Sequence, residues 1–225
     1  MKARPILFNT DMVKAILSGQ KTQTRRALKD QPPENMAKAL RTGVGSFDAV
    51  RRSGMFRFAD NKTGAMWPEG PVICAHGQPG DLLYVRETFA KVPRTAYAQS
   101  TGVTQIINPD DEYQAAVFRA GWERCKPGAW IPSIHMPRWA SRLTLEITDV
   151  RVERLQEISK KEAVAEGFDM PPAPSQGWKF GALHNFKFTW NSIYGNWDAN
   201  PWVWVIEFKV HHCNVDALLN VRVAA

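Results

Sequence analysis

The sequence predicts an α+β fold: a mostly antiparallel β-barrel with a few short helices and two loop-rich insertions. Three observations carry that expectation. The stretch "SRLTLEITDVRVERL" alternates, with Leu143, Leu145 and Ile147 on one side and Thr144, Glu146 and Thr148 on the other, as a half-solvated strand does. The stretch "NPWVWVIEFKV" sets Trp202, Trp204, Ile206 and Phe208 on one face of a closing strand. The helical patterns are few and short, so strands outnumber helices and the pieces suit a compact barrel.

Taken in order, "NTDMVKAILSGQ" reads as a helix that Thr10 or Asp11 caps, with Met12, Ala15 and Ile16 on one face and Gly19 at its left-handed end. From about Ala27 to Gly80 the chain turns to Pro, Gly, Asn and Lys with brief apolar pieces, "MFRF" and "PVICA", which predicts loops with one or two small strands. "GQPGDLLYVRETF" supplies a turn and then a buried strand through Leu82, Leu83 and Val85. A second irregular stretch, about 90 to 140, holds one more strand, "YQAAVF", and the Pro- and Trp-rich "WIPSIHMPRWA". In "SKKEAVAEGF", Ser159 and Glu162 have the spacing of a capping box and Gly167 stops the helix. "FKFTWNSIYG" is a further helix through Phe186, Trp190 and Ile193.

The 225 residues are read as one domain over 1–212, with insertions at about 27–80 and 90–140 and a tail at 213–225. Lys plus Arg is 29 against 22 Asp plus Glu, a formal charge of +7 that favours acidic partners, nucleic acid being the commonest. Cys74, Cys125 and Cys213 are odd in number and widely spaced, which suits a reducing compartment. No apolar run approaches the roughly 18 residues of a membrane span, and the start lacks the apolar stretch of a secretory leader. A soluble, cytoplasmic protein with no membrane partner is expected.

The block "LSGQKTQTRR" brings an ammonium, two hydroxyls and guanidinium groups into one short polar run at a helix exit. That set can bind an anion or activate a hydroxyl. Four blocks in this order, "SGQKTQTRR", "PGDLLYV", "LEITDVRVERL" with "SKKEAVAEGF", and "FTWNSIYG" with "PWVWVIEFK", resemble the activating signal cointegrator homology (ASCH) family, whose fold is PUA-like. They span roughly half the chain. The longer form "HMPRWASRLTLEITDVRVERL" is similar to family members of bacterial phages and prophages.

The resemblance implies an amidohydrolase of the N4-acetylcytidine type, with Lys21, Thr24 and Glu166 as its catalytic residues; neither a cofactor nor a metal is expected. A threonine hydroxyl is a poor nucleophile near neutral pH, and a lysine of depressed pKa can serve as its base. Glu166 would orient that lysine or carry the proton to the leaving amine. An amide near Gly19, or Arg25 and Arg26, would hold the oxyanion, and Thr22 would join the substrate wall. Lys21 and Thr24 lie an odd number of positions apart, so both reach one pocket only if the chain bends after Gly19.

Three further residues, Glu87, Trp139 and Arg142, are candidates for substrate binding. Glu87 ends a buried strand, and either points into the pocket or pairs with a cation. Trp139, between Arg138 and Arg142, is the tryptophan nominated for stacking on a base. Trp178 and Trp197 also sit near basic or polar residues, whereas the periodic spacing of Trp190, Trp202 and Trp204 predicts core. The pairs Cys74/His76 and Cys125/His135 fit no zinc spacing, and His211, His212 and Cys213 read as an accidental cluster. The expected partner is a nucleoside or single-stranded RNA. The alternatives are a non-catalytic single-stranded nucleic-acid-binding module, an RNA-cleaving protein and a phage accessory protein.

Overall fold

The structure, a computed structural model, describes residues 1–36, 38–42, 54–60, 62–168 and 181–223. They form an α+β fold with mostly antiparallel sheets and few helices. The chain divides into two compact units, one of residues 1–19, 81–146 and 210–225, the other of 20–80 and 147–209. The insertion expected at 27–80 belongs to the second unit and that at 90–140 to the first.

In the first unit, β1 (Ala3–Leu7) pairs in parallel with β6 (Leu82–Arg86), whose other edge takes the start of β10 (Thr144–Arg154) antiparallel. Helix α1 (Thr10–Leu17) buries Val13, Ala15 and Ile16. Its cap is Asn9 rather than Thr10 or Asp11: the Asn9 side chain accepts from the Met12 amide at 2.8 Å, and Thr10 is already helical. The 90–140 region builds a second sheet from β7 (Phe89–Pro93), β8 (Ile106–Asn108) and β9 (Asp111–Phe118), in the order β7-β9-β8. Both faces of β9 are covered. Ala116 and Phe118 pack with Phe89, Met136 and Ala140, while Ala115 and Val117 pack with Val92 beneath the half-buried Tyr97, Trp122 and Trp130.

In the second unit, β2 (Gln23–Ala27) runs antiparallel to β11 (Trp202–His211), and β11 neighbours β10. Residues Val203 and Val205 of β11 pack against Phe186, Trp190 and Trp197, which come from α3 (Ala182–Tyr194) and the turn after it. The opposite face of β11 meets the insertion: Phe58 lies edge-on to Trp202 at 5.1 Å and Phe56 to Trp204 at 5.7 Å. Those phenylalanines sit on β4 (Met55–Ala59), between β3 (Lys38–Thr42) and β5 (Val72–Ile73). The closing strand is therefore buried on both faces, not on one as its pattern predicts, because the insertion supplies the second cover. The short helix α2 (Lys160–Ala165) has the expected capping box, with Ser159 and Glu162 bonded reciprocally.

The larger sheet has the hydrogen-bonded order β1-β6-β10-β11-β2. Among the described residues no pairing joins β1 to β2, so backbone hydrogen bonds do not close the expected barrel. The tail also folds: Val215–Val223 forms α4. Asn214 starts it, its Oδ1 accepting from the Asp216 amide at 2.9 Å while its Nδ2 donates to the carbonyls of Arg138 and Trp139 at 3.0 Å and of Ser141 at 2.9 Å. Arg138 adds an ion pair to Asp216 at 2.7 Å. Asn214→Ala leaves these carbonyls without that donor and is expected to cost about 1–3 kcal/mol. Urea unfolding should register the loss, with amide exchange rising first at 215–223; unchanged protection there would refute the anchoring role.

Candidate functional site

The block "GQKTQTRR" enters the second unit as an extended segment bonded on both sides. The Thr22 amide donates to the Ala165 carbonyl at 2.9 Å, and the Phe208 amide donates to the Thr22 carbonyl at 3.0 Å. One side is thus the end of α2 and the other is β11. Gly167, at φ +97°, takes the left-handed conformation that ends α2 and leaves Glu166 at the helix terminus.

There Lys21 and Glu166 meet, 145 positions apart in the chain. The Lys21 ammonium donates to Glu166 Oε2 at 2.9 Å and to the Glu166 carbonyl at 2.7 Å. The other carboxylate oxygen, Oε1, accepts from Arg25 at 3.2 Å. Lys21 is fully buried and Glu166 is 3% exposed. Such burial is tolerable only because each charge is paired and hydrogen-bonded. Burial drives the Lys21 pKa below the ordinary lysine value, against the opposing pull of Glu166.

A wider network surrounds this pair. Arg25 also donates to Glu153 at 3.0 Å and to Glu162 at 3.1 Å, while its Nε is buried with no hydrogen-bond partner among the described residues. Arg151 binds Glu162 at 2.7 Å and also engages Glu153 and Glu207. Burial tends to lower the Arg151 pKa, but these carboxylates, Glu153 foremost, raise it on balance. Glu162 responds oppositely. Burial tends to raise it, yet the Ser159 amide and hydroxyl, with Arg25 and Arg151, bring it down to about 2. The capping box thus aims Oε2 of Glu162 at Ser159 and leaves Oε1 for the guanidinium groups.

Beside the network opens a cleft of about 400 Å³, whose wall includes Thr22, Gln23, Thr148, Arg151, Glu162 and Phe208. Lys161 and Glu207 add one more charge of each sign. Thr22 and Thr148 are exposed, so their hydroxyls are available to a ligand.

Of the expected site residues, Lys21 and Glu166 come together and Arg25 joins them. Thr24 is 1% exposed in β2. Gln23 and Arg25 both donate to Glu162, so they share the face of β2 toward α2, and strand alternation turns Thr24 and Arg26 to the other face. Thr22 is the threonine of the block that lines the cleft. Gly19, at φ +77°, follows α1 in the first unit.

Glu87 and Arg142 also lie in the first unit and pair with each other, at 2.9 and 3.0 Å. The Arg142 guanidinium stacks 4.2 Å over Phe118 and donates to the Ala120 carbonyl. Burial pushes the Glu87 pKa up, and Arg142 opposes the push. Trp139 sits in a 3-10 turn, half-buried against the cluster of Phe89, Phe118 and Met136. Trp178 lies outside the described residues.

Sequence reasoning passed over Arg151, Glu153 and Glu207, and used Glu162 only as a cap. A signal was available: Arg151 and Glu153 stand two apart in one strand, interleaved with Val150 and Val152, where opposite charges invite a shared partner. Among the described residues no three His, Cys, Asp or Glu side chains are grouped to hold a metal ion, and no helix is long and apolar enough to cross a membrane. Comparison with known proteins finds no matching family model, no matching curated protein and no matching solved structure.

Lys21→Met leaves one less cation on a buried carboxylate and is expected to cost about 3–5 kcal/mol in urea unfolding. The double change Lys21→Met with Glu166→Leu should cost less than the sum of the single changes; strict additivity would contradict the coupling. Glu162 makes acid sensitivity a second readout. Its native pKa of about 2 lies below the ordinary glutamate value of 4.5, so the unfolded chain holds more proton between those limits. Its contribution is present above pH 4.5 and disappears as pH falls toward 2. Glu162→Gln should flatten the stability profile across that window, and a profile as steep as wild type would show that other groups govern it.

Proposed function

We propose that the chain is an ASCH-type, PUA-like protein whose cleft takes a nucleoside, free or as an unpaired base of RNA. One observation carries the reading: the early lysine–threonine block and the late helix end, both singled out in the sequence, form adjoining walls of one cleft, with Lys21 and Glu166 joined behind it at 2.9 Å. Its volume of about 400 Å³ falls in the range typical of small-ligand sites. Hydroxyl and charged groups line the cleft beside the buried Phe208, a mixture suited to the hydrogen-bonding edge of a base. Ion pairs hold Arg151 and Glu162 in position, which reduces the ordering cost of binding.

The lowered pKa of Lys21 favours a second reading, hydrolysis of an N4-acylated cytosine nucleoside. In this reading the Lys21 ammonium first passes a proton to Glu166, to which it donates at 2.9 Å, and the neutral amine then takes the proton of a threonine hydroxyl as the hydroxyl oxygen bonds the acyl carbon. The carbon–N4 bond then breaks, N4 leaves as the amine with that proton, and water cleaves the resulting ester to acetate and the free hydroxyl. Thr22, exposed on the cleft, is the hydroxyl we assign to the attack; Thr24 is 1% exposed within β2.

Calorimetry with cytidine and proton NMR of acetate release from N4-acetylcytidine test the two readings in one experiment. Cytidine should bind the wild-type chain, and Thr148→Arg, which fills the cleft from an exposed position, should weaken binding at least about tenfold without altering the melt. No binding by wild type sinks the nucleoside reading. Binding without acetate release removes the hydrolase, and release indifferent to Thr22→Ala and Lys21→Met moves the reaction elsewhere.

A further inference from the structure

The 90–140 sheet of the first unit carries a surface independent of the cleft. Ala115 and Val117 of β9 point to the face roofed by Tyr97, Trp122 and Trp130. Tyr113 and Arg119 lie an even number of residues from Ala115, so alternation sets them on this same face. The register adds Ile107, opposite Ala115, and Arg94 continues the row of Ala90 and Val92. The Arg94 amide donates to the Tyr113 carbonyl at 2.9 Å, which puts those two residues side by side.

Beyond the buried Val92, Ala115 and Val117, two apolar residues of this face are exposed: Tyr113 is 79% accessible and Ile107 44%. The three aromatic rings of the roof meet edge to face, Trp122 with Tyr97 at 5.1 Å and with Trp130 at 5.7 Å. The Arg119 guanidinium stacks over Trp130 at 5.6 Å, and Arg124 donates to the Thr101 carbonyl. Arg94, Arg119 and Arg124 are exposed, and none forms an ion pair among the described residues. The nearby carboxylates, Asp110, Asp111 and Glu112, gather at the β8–β9 hairpin, and Glu123 sits in the loop beside Trp122.

We infer that this face binds single-stranded nucleic acid, with a base stacked on Tyr113 and phosphates held by Arg94, Arg119 and Arg124. An exposed ring with a guanidinium beside it is the arrangement by which unpaired bases and the backbone linking them are held together. Arg119, steadied on an indole, keeps its N–H edges free for a phosphate. From Tyr113 to Arg119 the strand runs about 20 Å at roughly 3.3 Å per residue, enough for a few nucleotides. A duplex offers no open base face to Tyr113, so single strands should be preferred.

Fluorescence anisotropy of the full chain with a labelled oligouridine, against a duplex of equal length, tests the inference. Three phosphate contacts to a single strand imply a log–log salt slope of about −2. Tyr113→Ala should weaken binding about tenfold and Tyr113→Phe about twofold or less, with melting unchanged because the ring is exposed. Arg94→Ala with Arg119→Ala should flatten the salt slope by about 1.4 units. No binding at low salt, duplex binding as tight as single strand, indifference to Tyr113→Ala, or displacement by oligoglutamate as effective as by unlabelled RNA would each overturn it. Cytidine binding in the cleft should be unaffected by these changes, so the two proposals can fail separately.

Discussion

A buried carboxylate held between two buried cations determines much of the second unit. Glu166 is 3% exposed, and both Lys21 and Arg25 reach it from the segment entering β2. Removing three such charges from water costs several kcal/mol per ion, and only close pairing with added hydrogen bonds offsets that cost. The constraint reaches outward from there. It requires β2 to turn Gln23 and Arg25 toward α2, and α2 to end where Gly167 reverses the chain. It also requires the box at Ser159 to hold Glu162 within reach of Arg25 and Arg151. The cleft wall inherits its order from these ties.

Polar and apolar parts are segregated around that network. Phe186, Trp190 and Trp197 cover one side of β11, and Phe56 and Phe58 of the insertion meet the tryptophans of the other. The insertion is thus part of the packing and not an appendage. Its loss would expose Trp202 and Trp204, each among the larger apolar surfaces a side chain can bury. In the first unit Glu87 and Arg142 form a separate bidentate pair, with Phe118 under the guanidinium, and it braces the 90–140 sheet.

Local signals proved legible where chemistry and conformation act within a few residues. Ser159, Glu162 and Gly167 announce α2 because a capping box and a left-handed stop are short-range events. The alternation of Leu143, Leu145 and Ile147 gives β10 for the same reason. Asn9 was passed over as a cap because Thr10 and Asp11 are equally good cap residues, and only the backbone decides among neighbours. The strand Lys38–Thr42 has one large apolar residue, Leu40, and so shows no period; its partner β4 makes it a strand. Helix α4 likewise depends on Asn214 and Asp216 meeting residues 138–141, far away in sequence.

By itself the sequence determined the α+β class, the helix stops and the main strands, while the pairing of an early lysine block with a late glutamate was an expectation drawn from a resemblance. Tertiary structure alone decided which charges meet Glu166, which threonine faces the cleft, and that β11 is covered on both sides. The division has a physical cause. Periodicity and capping depend on nearest neighbours along the chain, whereas a buried charge takes its partner from whatever long-range packing brings within about 3 Å, and strand alternation converts a one-residue offset into the opposite face.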